Sequence, residues 1–127
     1  MADKAFTNSP IVSFGTRATA TMVAADIDTT NGNQVFNYTP TGKSNKTVIL
    51  ISNTTGVLSY SIAAGTGASK AAAAKTGTVA ATTLGAIQVE TGKFLNASGV
   101  IAITLAPATG TKLVTNHAAA VAAVELL

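Results

Sequence analysis

The residues able to do chemistry in this chain are few and far apart. The single histidine is His117, the acids are Asp3, Asp26, Asp28, Glu90 and Glu125, and there is no cysteine. Catalysis by histidine needs an orienting acid and a nucleophile or water within reach. Here the acids are spread along the chain, and no serine stands in the Gly-x-Ser-x-Gly context of a nucleophile elbow. No pair of carboxylates is singled out for glycosidic cleavage. Without cysteine there is no thiolate nucleophile, thiolate zinc site or disulfide. The expectation is a protein that is not an enzyme and that takes no cofactor or metal.

Short motifs point the same way. Gly42-Lys43-Ser44 ends like a phosphate-binding loop, but the pattern requires a glycine where Asn37 stands, and a strand rather than a helix follows at Thr47. Asp26-x-Asp28 opens like a calcium loop, but Asn31 and Asn37 occupy the positions that need glycine and a bidentate acid. Gly65-x-Gly67 has no third glycine at dinucleotide-binding spacing. Asn37-Tyr38-Thr39, Asn45-Lys46-Thr47, Asn53-Thr54-Thr55 and Asn96-Ala97-Ser98 match glycosylation acceptors. In a threonine-rich chain they read as turn chemistry. Lys70 and Lys75 flank four alanines; this is a solvated loop or a single helical turn, with an anion or partner contact as the sharper reading.

Composition sets the frame for these residues. The chain has 127 residues, enough for one domain and one core. Charged residues make up only 10% and aromatics 5%, and threonine is about one residue in six. The mean hydropathy of +0.41 reflects missing charge; no apolar run approaches the ~20 residues of a spanning helix. The first residues, Met1 to Phe6, lack the apolar centre of a signal peptide, which predicts an unexported chain made in a cytosol. Net charge is +3, yet the basic residues are scattered along the sequence and Arg17 is the only arginine. Nucleic-acid binders cluster such residues and interleave aromatics, so no nucleic-acid partner is expected, and no membrane. A surface this poor in charge suits a protein that lives attached to something.

The elements that position these residues read as strands. Met1 to about Thr21 reads as an arm plus edge strand, with a Thr/Ala alternation from Thr16 to Thr21, and 26–33 as a polar turn. Gln34–Tyr38 alternates in and out. Thr47–Ser52 is an apolar β-branched run, expected as a central strand buried on both faces. It is expected to form a hairpin, through Asn53–Gly56, with Leu58–Ile62, whose Leu58, Tyr60 and Ile62 face inward. Thr78–Ala81, Leu84–Val89, Lys93–Asn96, Val100–Leu105 and Lys112–Thr115 read as further strands, with Ile101, Ile103 and Leu105 on one face. The last stretch, 118–127, has helical propensity but sits among strands and reads as one. The core claims Phe36, Tyr60 and Phe94, leaving few aromatics for sugar stacking. The predicted fold is all-β: a small antiparallel β-sandwich or barrel-like domain over 22–127, with an extended N-terminal arm and edge strand over 1–21.

From about Ala18 onward the chain resembles the small decoration (capsid-cementing) proteins of tailed bacteriophage heads. The resemblance is carried by Thr47–Asn53, by Leu58–Gly65 ending in a glycine-rich loop, by Leu84-Gly85-Ala86-Ile87, by Phe94, and by Asn96–Thr104 with its Gly-x-Ile-x-Ile run. It implies a non-enzymatic virion protein, made in the host bacterial cytoplasm, that binds the outside of the capsid lattice. Its partners would be the major capsid protein and further copies of itself, a trimer by analogy, bridging neighbouring subunits against internal pressure. The arm would add a strand to a capsid sheet edge, with Phe6, Ile11, Val12, Phe14 and Arg17 as its contacts. The alternatives are a phage tail tube or fibre component, or a carbohydrate-binding or adhesive β-module.

Overall fold

A period of two in the placement of apolar residues governs the architecture. In a strand, alternate side chains face one side, so one buried face needs every second residue apolar. In the computed structural model, β4 (Gln34–Tyr38) buries Gln34, Phe36 and Tyr38, and β9 (Ile101–Pro107) buries Ile101, Ile103 and Leu105. The structure describes residues 4–6, 11–12, 22–25, 33–41, 46–54, 56–67, 70, 73–108 and 119–126. Among them the other strands are β1 (Lys4–Phe6), β2 (Ile11–Val12), β3 (Val23–Ala24), β5 (Lys46–Asn53), β6 (Leu58–Ile62), β7 (Lys75–Val79), β8 (Thr83–Glu90) and β10 (Ala119–Leu126). A single helical turn, α1 (Thr91–Phe94), completes the set.

Two sheets share one core. The first has the order β1-β4-β9-β6-β7; the second has the order β2-β10-β5-β8, with β3 also on β10. Phe36, Tyr38, Leu58, Ile62, Ile101, Ile103 and Leu105 of the first pack with Ile49, Ile51, Ile87, Val89, Val121 and Ala123 of the second. This is the expected all-β sandwich. The central pairs are antiparallel, whereas the arm strands add in parallel: β1 beside β4 and β2 beside β10. The C-terminal stretch is a strand as expected, paired along its whole length with β5. Residues 26–32 of the polar turn expected over 26–33, the alternation at 16–21 and the strand at 112–115 lie outside the described residues.

Several local expectations are corrected. The runs on either side of Asn53–Gly56 do not form a hairpin; β5 belongs to the second sheet and β6 to the first. Asn53 faces inward at the end of β5, and its side chain holds Gly56, at φ +64°, so that the chain crosses between the layers. Nor is β5 buried on both faces: Thr47, Ile49, Ile51 and Asn53 are buried, but Val48, Leu50 and Ser52 are half-buried. The segment 93–96 is no strand. Thr91 and Phe94, three residues apart, both bury on one side of a helical turn. The strand expected at Thr78–Ala81 begins earlier, at Lys75, and ends at Val79; 81–82 form a turn with Thr82 at φ 57°. No helix forms at the described residues Lys70, Ala73 and Ala74, and all three are exposed.

One buried polar pair ties α1 to the second sheet. Thr47 Oγ1 and Thr91 Oγ1 lie 2.7 Å apart, with both residues fully buried. Removing one hydroxyl strands the other in an apolar interior; removing both leaves nothing unsatisfied. Thr47→Val and Thr91→Val are each expected to cost about 1–2 kcal/mol, and the double variant no more than one single. Urea denaturation of the four proteins checks this; additive losses would contradict it.

Candidate interaction surfaces

Of the groups considered for catalysis, the two described acids each hold a local partner. Glu125 is fully buried on β10 and accepts hydrogen bonds from Thr41, from its N–H at 3.0 Å and from its hydroxyl. Glu90 is exposed at the end of β8 and pairs with Lys93. His117, Asp26 and Asp28 lie outside the described residues, and so does Asp3. Among the described residues no three of His, Cys, Asp and Glu stand together as metal ligands.

Two of the glycosylation-like asparagines have structural jobs. Asn96 Oδ1 accepts the N–H groups of Ser98 and Val100 at 2.9 and 3.2 Å, making the turn into β9. Asn53 Nδ2 donates to the carbonyls of Gly56, Val79 and Ala80 at 2.6, 3.0 and 3.2 Å. The glycine of the failed dinucleotide motif is explained too. Gly65 is buried against the turn after α1, donating its N–H to the Lys93 carbonyl, and Thr66 donates to that of Leu95.

The arm residues fall on strand edges. Phe6 is paired opposite Tyr38, and Ile11 and Val12 opposite Glu125 and Leu126; Phe14 and Arg17 lie outside the described residues. β1 and β2 therefore each line an edge of one sheet of their own chain. Parallel additions of three and two residues are short, so they close edges that would otherwise recruit other strands.

Two surfaces were not visible in the sequence. The first is the outward face of β4, β9, β6 and β7. One cross-strand row runs Val35, Thr104, Ser61, Thr76; the next runs Ala106, Ser59, Thr78. A shallow groove of about 470 Å³ crosses it. Every outward residue on these four strands is uncharged. No family model, curated protein or solved structure matches the chain. The surfaces therefore have to be read on their own chemistry.

The second surface is a cleft of about 410 Å³ where β7 and β8, the end strands of the two sheets, lie side by side. Lys70, Lys75, Gln88, Glu90 and Lys93 rim it, over Val89 and Phe94, both largely buried. Lys46 is paired with Glu90 across β5 and β8. Lysines spread over 48 positions of sequence thus meet around one glutamate. No local signal could have found them, because the cleft depends on which strands end the two sheets. No helix among the described residues is long and apolar enough to cross a membrane.

Proposed function

We propose that this chain is a non-enzymatic virion structural protein. It binds the outside of a phage capsid lattice and reinforces it by bridging capsid subunits. The observation that carries the reading is the uncharged outward face of β4, β9, β6 and β7. Small hydroxyl and methyl side chains in flat rows let another protein surface approach closely with no charge to strip of water. The centres of protein interfaces are depleted of charged residues in the same way. Many modest contacts repeated by lattice symmetry add up to strong cohesion without any tight single site. The low charge of the chain and the resemblance carried by its strand pattern support the same role. In it, the arm over 1–21, whose β1 and β2 lie on the edges of the chain's own sheets, contributes to the contact with the neighbouring subunit, and the major capsid protein is the partner.

Binding to purified heads of the phage that encodes the chain tests this. The expected stoichiometry is hundreds of copies per head, retained when DNA is lost. Ser61→Lys, which puts a charge at the middle of the uncharged face, is expected to weaken head binding at least tenfold without lowering the melting temperature. Deleting residues 1–10 is expected to weaken it comparably while the domain stays folded. Copies that leave with the tails would make the chain a tail component. Absence from particles would discard the virion role.

A further inference from the structure

The charge of this protein is not distributed as its sequence suggests. Lys46, Lys70, Lys75 and Lys93 surround Glu90 at the β7–β8 end of the sandwich, a surplus of three positive charges. That surplus equals the formal net charge of the whole chain, +3. The other four basic residues, Lys4, Arg17, Lys43 and Lys112, are matched in number by the other four acids, Asp3, Asp26, Asp28 and Glu125. The rest of the sequence therefore carries no formal net charge. Glu90 answers only part of the local charge: its carboxylate lies 3.1 Å from Lys93 Nζ, and both side chains are about half exposed.

The cleft also has unused backbone. Among the described residues, β8 pairs with β5 alone and β7 with β6 alone, so each has one edge with no strand hydrogen-bonded to it. An extended peptide can add to such an edge, with main-chain hydrogen bonds supplying affinity and alternate side chains supplying specificity. In an added strand, residues two apart face the same way at about 6.6 Å spacing. Carboxylates at alternate positions would then meet the lysine rim. A polynucleotide could use the lysines but not the strand edge. Phe94, being buried, offers no face for a base to stack on.

We infer that this cleft is a docking site for an extended acidic segment of a protein partner, added to the free edge of β8 with its carboxylates on Lys70, Lys75 and Lys93. The site serves an acidic protein whether or not the chain sits on a virion, and it is separate from the uncharged face and from β1 and β2 at the other ends of the sheets.

A fluorescein-labelled ten-residue peptide alternating Asp and Val tests it by anisotropy with the full-length chain, alongside the same peptide with Asn for Asp. Backbone amide shifts in a ¹⁵N-labelled sample report where the peptide sits. The expected result is saturable binding of the Asp peptide only, with shifts at 75, 88–90 and 93. Binding should weaken about tenfold between 50 and 500 mM salt. The K70Q/K75Q/K93Q variant should lose at least tenfold in affinity, and K70R/K75R/K93R should retain it. The chain lacking residues 1–10 and the Ser61→Lys variant should bind the peptide as the parent does, even where they no longer bind heads. No binding, or undiminished binding by the triple glutamine variant, would overturn the site. Equal binding of a dT10 oligonucleotide or of inorganic phosphate at the same residues would overturn the peptide as its ligand.

Discussion

Asn53→Asp is expected to remove about 3–5 kcal/mol of stability at pH 7, a large share of the 5–15 kcal/mol typical of a domain. The side chain is 1% exposed, and its amide nitrogen faces three backbone carbonyls, two of them, Val79 and Ala80, where β7 ends and the chain turns toward β8. Two hydrogens shared among three acceptors satisfy carbonyls that would otherwise be stranded. An aspartate there turns the donor into a carboxylate pointed at carbonyl oxygens. Burial and those oxygens would hold its pKa in the folded state above the ordinary value of about 3.9. The folded state then binds the proton more tightly than the unfolded state, so stability falls as pH rises from the unfolded pKa to the folded one. The gap between variant and parent in urea midpoint should be clearly smaller at pH 4 than at pH 7. Asn53→Ala, with no charge introduced, should cost about 2 kcal/mol with no such pH dependence. A pH-independent gap for the aspartate variant would show that the side chain does not face the carbonyls.

Gly65→Ala is the second large effect. A Cβ at Gly65 would stand 2.5 Å from the Leu95 carbonyl oxygen, 2.8 Å from that of Lys93 and 3.0 Å from the Leu95 nitrogen. All three are backbone atoms, so no rotamer change can relieve the contact. Relief requires the strand end and the α1 turn to part, breaking the hydrogen bonds of Gly65 and Thr66 to that turn. The expected loss is about 3 kcal/mol, or about 10 °C in melting temperature for a domain of this size. Gly67→Ala is the matched control: nothing lies within 4 Å of its Cβ position. It should change stability by no more than about 0.5 kcal/mol. Because Lys93 belongs to the turn that Gly65 grips, Gly65→Ala should also weaken acidic-peptide binding, whereas Gly67→Ala should not. Equal melting temperatures for the two variants would refute the close approach.

The resemblance and the structure bear on different things. The strand pattern over Leu84–Ile87 and Asn96–Thr104 raised the virion role. The fold adds physical surfaces on which that role can be tested: an uncharged face for a protein contact, and arm strands laid on the edges of the chain's own sheets. Covered edges of this kind resist strand-to-strand aggregation.

Strand identity and inward faces were readable along the chain because they are local. Phe36 and Tyr38, or Ile101, Ile103 and Leu105, announce a buried face by their spacing alone, whatever strand lies beside them. Even Ala119–Leu126 was legible as a strand against its helical propensity, since the surrounding pattern left it no helical partner. Partnership was not legible. The apolar pattern of Thr47–Ile62 is the same whether its two strands pair with each other or lie in opposite sheets, and an inward-facing Asn53 decides between them. The helical turn at Thr91–Phe94 overlaps the strand expected at Lys93–Asn96, and four residues are too few to display a period. The site was the least legible of all. Lys46, Lys75 and Lys93 are separated by 29 and 18 residues and look scattered in the sequence. They meet because β8 ends one sheet and β7 ends the other, and the ends of sheets are set by long-range pairing that no local pattern encodes.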